Sequence, residues 1–222
     1  MIYYLRNKKY PYFNTQKEKT QFINELEYWQ IPTQEQKIIA NFIFDKEWCA
    51  PTLSIDINLK IVKKKGVQHG IVFCKPPLDN KNSYIEFKVI MKTPCKGRSH
   101  LFLGLVDKAV YKYDNLISTL WKDSPSSVYW DTWNTKLIRT DENGAQTATM
   151  NGYGCQCEET ETRFSIKYNS LEQNVTFFKN GISMGVAFRK VPSGLTPALD
   201  IWFEEGSVEI INKDNNEEKT FL

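Results

Sequence analysis

The stretch that decides the fold runs from Arg163 to Phe188 and reads RFSIKYNSLEQNVTFFKNGISMGVAF. Asn180-Gly181 is a dipeptide typical of a tight two-residue turn, and runs rich in apolar and aromatic residues lie on both sides of it. Such a turn matches the twist of the strands that it joins, so the two strands pair as a hairpin. The sequence therefore predicts an antiparallel pair, with Val175–Phe178 in one strand and Met184–Phe188 in the next.

Strand patterns continue outside this hairpin. Apolar residues alternate with polar ones from Leu53 to Ile61, as a half-buried strand requires, and predict one strand over 53–61. Further strands are predicted at Gly70–Lys75, Tyr84–Lys92, Leu101–Val106, Val128–Trp130, Arg163–Tyr168, Asn174–Lys179, Met184–Phe188, Ala198–Phe203 and Val208–Ile211. Many short strands at about ten-residue spacing, with no helices between them, predict a mainly β protein built as an antiparallel β-sandwich.

Residues 1–45 show a helical period instead. A capping-box signature at Thr15 is followed by apolar residues at helical spacing, which predicts a helix over 16–29. Pro32 ends this helix. A second helix is predicted after it, with an apolar face formed by Ile38, Ile39, Phe42 and Ile43. Two short helices cannot bury both apolar faces alone, so we expect this region either to dock on the sandwich or to belong to an incomplete domain.

Composition limits the classes of function. The 222 residues are 41% hydrophobic and 25% charged, with a net charge of +3, which suits a folded domain and gives no general attraction for nucleic acid or membranes. No apolar run reaches the roughly 20 residues that span a bilayer. The chain opens on MIYYLRNKK, which lacks the pattern of a signal peptide. We therefore expect a cytoplasmic protein whose five cysteines are reduced.

The hairpin and its neighbours resemble a SPRY domain. The segments that carry the resemblance are Arg163-Phe-Ser-Ile-Lys-Tyr, Asn174-Val-Thr-Phe-Phe-Lys-Asn-Gly, Met184-Gly-Val-Ala-Phe, Leu195-Thr-Pro-Ala-Leu and, earlier in the chain, Ser83-Tyr-Ile-Glu-Phe-Lys-Val, Phe102-Leu-Gly-Leu-Val and Asn151-Gly-Tyr-Gly. The resemblance covers about residues 48–212. It implies a concanavalin-like jelly-roll sandwich that acts as a non-enzymatic protein–protein interaction module, without a cofactor.

Residues 3–31 more weakly resemble the C-terminal end of a potassium-channel-tetramerisation-type BTB domain. Tyr4-Leu-Arg-Asn-Lys-Lys is similar to its Y-L-R-x-G-x-L stretch, and the segment from Phe22 to Ile31 to its L-x-x-E-A-x-Y-x-G-I stretch, with Gln30 where glycine is usual. The resemblance implies a truncated BTB domain and an adaptor that presents a captured partner to a cullin-type ubiquitin ligase. We expect a helical appendage at 1–47, the sandwich at 48–212 and a polar tail at 213–222.

In SPRY domains the partner usually contacts loops at one end or edge of the sandwich. A peptide-binding subgroup uses an arginine-x-proline pair, a tyrosine and a tryptophan-glycine pair in three loops. Here Lys75 replaces the arginine and Phe203 the glycine, so asparagine-rich peptide specificity is not carried over. Trp121 is the best candidate for an exposed anchor, or else a lid over the sandwich. The predicted partner-binding residues are Lys75, Pro77, Tyr111, Tyr113, Trp121, Trp202 and Phe203.

Residues that could catalyse a reaction or bind a metal are scattered. His69 and His100 are the only histidines, and no serine-centred nucleophile elbow accompanies them. The adjacent pair Glu204-Glu205 would face opposite sides of a strand and could not flank one bond. Cys155 and Cys157 could bind one metal ion together, but a structural zinc needs four ligands, and these two residues provide only two. We therefore expect no enzyme, no metal site and no cofactor.

The sequence leaves other functions open. A lectin-like sandwich would bind carbohydrate, with Trp121 or Trp133 stacked on a sugar ring. A polysaccharide hydrolase would need two carboxylates about 5 to 9.5 Å apart, and the chain lacks the E-x-D-x-x-E cluster that such enzymes often show. In a structural role, the sandwich would cap or dimerise a larger assembly.

Overall fold

The computed structural model describes residues 41–92, 101–111, 126–154 and 160–211. They belong to the unit Ile39–Leu222, since contacts divide the chain between Ile38 and Ile39. The strands in these ranges are β1 (Ile43–Cys49), β2 (Leu53–Ile55), β3 (Ile61–Lys65), β4 (Gly70–Lys75), β5 (Tyr84–Met91), β6 (Leu101–Val106), β7 (Ser127–Asp131), β8 (Lys136–Thr140), β9 (Gln146–Met150), β10 (Glu161–Asn169), β11 (Asn174–Lys179), β12 (Ile182–Phe188), β13 (Thr196–Ile201) and β14 (Glu205–Ile211).

The strands form two seven-stranded sheets. Sheet A has the order β1-β4-β13-β6-β7-β8-β9, and sheet B has the order β12-β11-β10-β5-β14-β3-β2. Every pairing between described strands is antiparallel. The predicted antiparallel β-sandwich is thus confirmed. The predicted helix at 16–29 lies outside the described residues, and within them no helix is long and apolar enough to cross a membrane.

Aromatic side chains join the two sheets in the core. Trp130 on β7 of sheet A packs edge-on against Phe164 of sheet B, with ring centroids 5.5 Å apart, and in a tilted arrangement against Phe177 at 5.8 Å. At the other side of the sandwich, Phe44 on β1 lies 6.4 Å from Phe87 on β5, also tilted. All five rings are fully buried. Burial of these rings, together with the edge-on contact of Trp130 with Phe164, holds the two sheets face to face.

The predicted hairpin at Asn180-Gly181 is confirmed. Lys179 on β11 pairs with Ile182 on β12, which leaves two residues in the loop. Asn180 has φ 50° and Gly181 has φ 79°. Positive φ at both central positions defines the turn that fits the strand twist, and asparagine followed by glycine accepts it at the lowest cost.

Side chains from the sheet A side of the sandwich hydrogen-bond the last strand of sheet B and the residues after it. The Tyr153 hydroxyl donates to the carbonyl oxygen of Gly185 on β12 at 2.8 Å and accepts from the N–H of Phe177 on β11 at 3.3 Å. It thus bridges the two strands where their register shifts. Arg139 on β8 donates from Nη2 to the carbonyl oxygen of Arg189, just beyond β12, at 2.6 Å.

The single strand predicted over 53–61 is wrong, because a turn separates β2 from β3. Asp56 accepts hydrogen bonds at Oδ1 from the backbone N–H groups of Lys60 and Ile61, both at 2.8 Å. Leu59 within the turn has φ 60°, a left-handed conformation that a strand does not contain. Ile57 is 90% exposed. The Asp56 carboxylate thus takes the place of a neighbouring strand as hydrogen-bond partner of these backbone N–H groups. The apolar residues Ile57 and Leu59 lie in the turn as a result.

Strand β1 uses residues that the sequence assigned to the apolar face of a second helix. Ile43 is the first residue of β1, and the residues on either side of it, Phe42 and Phe44, are buried in the core. That alternation is the period of a strand, so the helix prediction is wrong at Phe42 and Ile43. Residues 33–40 lie outside the described ranges, and the boundary near residue 48 stays a prediction.

Strands β8 and β9 were not predicted from the sequence. Strand β8 has only two fully apolar residues, Leu137 and Ile138, and β9 is mainly polar. The dipeptide Asn143-Gly144 between them is a turn signal, but periods this short do not separate a strand from a loop. Pairing of β8 with β7, and of β9 with β8, decides their structure.

Candidate functional site

The outer face of sheet A, which points away from sheet B, carries an unusual set of side chains. Residues that pair across neighbouring strands lie on the same face of a sheet. On β7, Trp130 packs on sheet B, so its chain neighbours Tyr129 and Asp131 face away from sheet B. The residues that pair with these two form two outward-facing rows. The first row is Phe73, Ala198, Gly104 and Tyr129, and the second is Ile71, Asp200, Phe102 and Asp131. These side chains are almost fully buried, which gives sheet A a second core-like face.

Gly104 allows this face to pack closely. A Cβ atom at Gly104 would lie 2.3 Å from the Cβ of Tyr129 and 2.6 Å from the carbonyl oxygen of Val128. Real Cβ atoms do not approach other atoms so closely, so only glycine fits where β6 passes the Tyr129 side chain.

One end of the outer face holds the Trp48 cluster, formed by Trp48, Phe73 and Tyr111. The ring centroids of Trp48 and Phe73 are 5.3 Å apart, and Tyr111 lies 5.2 Å from Phe73 and 6.3 Å from Trp48, all edge-on. The Lys108 ammonium lies 4.8 Å from the centroid of the Trp48 ring. Phe73 and Tyr111 are buried and Trp48 is half-buried, so part of the indole reaches solvent.

A buried carboxylate fixes this cluster. Asp45 on β1 accepts a hydrogen bond from Lys108 at 2.7 Å and lies 3.4 Å from the Lys75 ammonium. Its side chain is 3% exposed, whereas that of Lys75 is 48% exposed. Burial acts to raise the pKa of Asp45, but the hydrogen bond and charge of Lys108, the Glu47 N–H and the charge of Lys75 outweigh it and lower this pKa. Asp45 is therefore ionised in the folded protein at neutral pH.

The other end of the face holds the Trp202 cluster, formed by His69, Phe102, Asp200 and Trp202. The His69 and Trp202 rings stack in parallel, with centroids 4.2 Å apart and planes 6° apart. Phe102 meets Trp202 edge-on at 6.3 Å. His69 Nδ1 lies 3.1 Å from Oδ1 of Asp200, which is fully buried, a hydrogen bond that forms when Nδ1 carries the proton. These contacts hold the half-buried indole of Trp202 in one orientation.

The sequence model of the SPRY domain matches residues 85–213, more than half of the chain. This chain belongs to the SPRY domain family. SPRY domains are protein-interaction modules and are generally non-catalytic. The match includes strands β5 to β14 and therefore most of the outer face of sheet A.

Solved structures agree with this assignment of the SPRY domain at the level of fold. The SPRY domain of human HERC1 shares 16% identity at a TM-score of 0.52, and covers 77% of this chain and 98% of its own. The PSpry domain of TRIM65 shares 14% identity at a TM-score of 0.52, with 78% and 93% covered. The neuralized NHR1 domain of Drosophila melanogaster shares 14% identity at a TM-score of 0.50, with 78% and 98% covered. No curated protein matches the chain in sequence.

The SPRY domain brings only some of the predicted partner-binding residues together. Lys75 and Pro77 are exposed at the end of β4, near Tyr111 of the Trp48 cluster. Trp202 follows Ile201, which pairs with Gly70 at the start of β4, so Lys75 and Trp202 lie roughly 20 Å apart along the strands.

Two of these residues are buried, and two others cannot be placed. Tyr111 is 4% exposed and Phe203 is 1% exposed, so both support loops rather than offer a surface. Tyr113 and Trp121 lie outside the described residues. The site is therefore divided between two ends of one face, which the resemblance to a single loop surface did not predict.

The sequence reasoning missed Trp48, His69 and Asp200 as site residues. From the sequence, Trp48 only marks the start of the sandwich, and His69 precedes Gly70 without a partner for catalysis. His69 and Asp200 are 131 residues apart and meet only because β4 pairs with β13. The one local signal was the Asp200-Ile-Trp202 spacing, which puts a carboxylate and an indole on the same side of one strand.

The chemistry of the Trp202 cluster suits positioning rather than bond breaking. A His–Asp pair activates a nucleophile only when the second histidine nitrogen reaches a hydroxyl or thiol. In the described part of the chain, the His69 ring bonds to Asp200 and stacks on Trp202, and the His69 carbonyl oxygen accepts a hydrogen bond from the Thr52 hydroxyl. Among those same residues, no three His, Cys, Asp or Glu side chains are grouped so as to hold a metal ion.

Proposed function

We propose that this SPRY domain binds a peptide or a surface loop of a partner protein through the half-buried tryptophans at the two ends of the outer face of sheet A and through the exposed loops beside them. The observation that supports it is the pair of half-buried tryptophans, Trp48 and Trp202, each held by ring contacts and a buried carboxylate. Rigid, partly exposed aromatic residues contribute large contact areas at a small loss of entropy, and they dominate the binding energy of protein interfaces.

Each predicted residue then has a role. Trp202 and Trp48 act as anchors, while Lys75 and Pro77 contact the partner at the exposed end of β4. Tyr113 and Trp121 remain proposed contacts on the evidence of the sequence alone. Tyr111 and Phe203 hold the anchors and the turn from beneath, because their side chains are buried.

Affinity purification from cell extracts tests this function. We compare the wild-type chain with Trp202→Leu and Pro77→Arg, and use Tyr84→Ala as the matched control, since Tyr84 is a half-buried aromatic residue on the outer face of sheet B. The same partner protein should co-purify with the wild type and Tyr84→Ala, and be lost with the other two variants. Thermal melting of each variant separates loss of binding from loss of folding. Equal recovery with all four chains would sink the proposal.

A finer role follows from the resemblance of residues 3–31 to a BTB domain. We propose that the longer protein acts in the cytoplasm as an adaptor that presents the partner of the SPRY domain to a cullin-type ubiquitin ligase. Direct binding of the full 222-residue chain to a purified cullin N-terminal domain, measured by calorimetry, tests this role. Absence of heat at high micromolar concentration would remove the adaptor role and leave the binding module intact.

A further inference from the structure

A groove of about 370 Å³ lies where three loops meet at the end of the sandwich that carries Lys75. Its lining residues are Asn80, Tyr168, Ser170, Gln173 and Ser193. Tyr168 is near the end of β10, and the other four come from the β4–β5 loop, the β10–β11 turn and the β12–β13 loop. The volume is within the range of roughly 300–1,000 Å³ typical of ligand sites. We call this site the loop groove.

Backbone hydrogen bonds join the three loops and fix the shape of the loop groove. Gly194 donates to the carbonyl oxygen of Leu78 at 2.8 Å, and Leu78 donates to Leu195 at 2.9 Å, which joins the first loop to the third. Val191 donates to the carbonyl oxygen of Gln173 at 2.8 Å, which joins the third loop to the turn. A ligand would therefore meet a preformed site and lose little affinity to ordering of loops.

The side chains that line the loop groove keep their hydrogen-bonding capacity. Within the described part of the chain, no protein group hydrogen-bonds the side chains of Asn80, Ser170, Gln173 or Ser193. Amides and hydroxyls offer both donors and acceptors. Tyr168 differs, because its hydroxyl donates to the carbonyl oxygen of Val191 at 3.1 Å.

Among the described residues that line the loop groove, none carries a charge, and the acids next to them in the chain hydrogen-bond the protein. Asp79 accepts hydrogen bonds from the backbone of Lys81 and Asn82, both at 2.7 Å. Glu172 accepts a hydrogen bond from the Asn174 side chain. A charged ligand would lose its hydration without finding an opposite charge, whereas a neutral hydrogen-bonding group would find matching partners. The lining thus selects an uncharged polar ligand.

We propose that the loop groove binds an uncharged amide or hydroxyl side chain of the partner's peptide segment. This inference rests on the proposed function and assigns the chemistry of one part of the partner. Leu171, in the same turn as Ser170 and Gln173, is 94% exposed and provides an apolar contact for a neighbouring residue of the peptide. A saccharide fits less well, because Tyr168 is the one aromatic side chain among the described lining residues and is 3% exposed, which leaves little of its ring for stacking.

Selection of random heptapeptides displayed on phage against the full chain tests the inference. Peptides that bind should be enriched in Asn, Gln, Ser or Thr next to an apolar residue. The tightest synthetic peptide is then titrated against the wild type, Ser193→Tyr, which fills the loop groove, and Ser54→Tyr, an equal change on β2 that is remote from the groove. Ser193→Tyr should weaken binding by about tenfold or more, and Ser54→Tyr by less than about twofold.

The other outcomes separate this inference from the proposed function. Peptides that bind Ser193→Tyr normally and Trp202→Leu poorly would overturn the loop groove and leave the binding module standing. Failure to select any peptide, together with failure to purify any protein partner, would remove both. A glycan array is the last experiment. A sugar that binds the wild type but not Ser193→Tyr would show that the ligand of the loop groove is a carbohydrate and would overturn the proposal of a peptide ligand.

Discussion

The Trp48 cluster and the Trp202 cluster each fix the orientation of a tryptophan, but they do so through different contacts. Each holds a half-buried indole at one end of the outer face of sheet A. The Trp48 cluster uses edge-on rings and a buried Asp45 that is bonded to partly exposed lysines. The Trp202 cluster uses a parallel His69 stack and a buried Asp200. The Trp48 cluster is therefore stabilised by ion pairs with partly exposed lysines, whereas the Trp202 cluster depends on a hydrogen bond between His69 and the buried Asp200.

This difference teaches where each cluster is vulnerable. Lys75 and Lys108, which contact Asp45 of the Trp48 cluster, both reach solvent. If one ammonium group is lost, water can therefore replace its contact with Asp45, and the cost in stability is small. His69 of the Trp202 cluster is 17% exposed and Asp200 is fully buried, so loss of the donor there leaves a carboxylate in a dry site with one bond fewer. We therefore expect unequal costs from similar substitutions.

Gly104→Ala should disturb the outer face between the two clusters and cause the largest effect. The new Cβ would clash with Tyr129 and with the backbone of Val128, and neither atom is the free end of a flexible side chain. We expect a loss of about 3 kcal/mol in the free energy of unfolding, measured by urea denaturation. Gly152→Ala is the control, because open space surrounds that position and only the positive φ of 76° opposes the new Cβ, at a cost of about 1 kcal/mol. Equal losses for the two variants would mean that the clash is relieved.

His69→Phe should distinguish the stack from the hydrogen bond in the Trp202 cluster. Phenylalanine can still stack on Trp202 but offers no donor to Asp200. We expect the free energy of unfolding to fall by about 2 kcal/mol, and a second substitution, Asp200→Asn, to return part of it. Chemical denaturation of the two single variants and the double variant checks this. Full wild-type stability in His69→Phe would show that the stack alone is sufficient.

Asp45→Asn should reveal a pH dependence in the Trp48 cluster. Because the pKa of Asp45 is lowered on folding, its stabilisation is complete above the unfolded value of about 4 and is lost as the pH falls through the lower folded value. We expect the wild type to be more stable than the variant by about 1 kcal/mol at pH 6, and this difference to shrink as the pH falls below about 4. Unfolding curves of both proteins across this range measure the gap. A gap that does not change with pH would contradict the assignment.

Lys75→Met should have the smallest effect on stability. The Lys75 ammonium is 3.4 Å from Asp45 and its side chain is 48% exposed, so we expect a change below about 0.5 kcal/mol in the same urea assay. Lys75 is also a proposed partner contact, so its effect on affinity for a captured partner should exceed its effect on folding. A large loss of stability instead would make Lys75 a structural residue.

The sequence predicted those parts of the fold that depend on local patterns. Strands β4, β6 and β11 have the predicted bounds, and the Asn180-Gly181 hairpin is confirmed. The errors have a common cause, which is that a side chain or a neighbouring strand overrides the local period. Asp56 turns an alternating stretch into a loop, and pairing with β4 places Ile43 in a strand.

The candidate site was less accessible to sequence reasoning. Trp202 could be identified because it lies next to a recognisable motif. His69 and Asp200 could not, since no spacing links residues that meet only through the β4–β13 pairing. The sequence also did not indicate which aromatic residues are buried. Phe203 and Trp202 are adjacent in the chain, and yet only Trp202 reaches solvent.

The hydroxyl of Tyr153 has a consequence for how the last strand of sheet B stays attached. It accepts a hydrogen bond from the N–H of Phe177 on β11 at 3.3 Å and donates to the carbonyl oxygen of Gly185 on β12 at 2.8 Å, where the β11–β12 register shifts. A side chain thus satisfies two backbone groups that the irregular ladder leaves without each other as partners. In Tyr153→Phe, β12 should detach before the rest of the sandwich, which amide hydrogen exchange would show as faster exchange confined to β11 and β12.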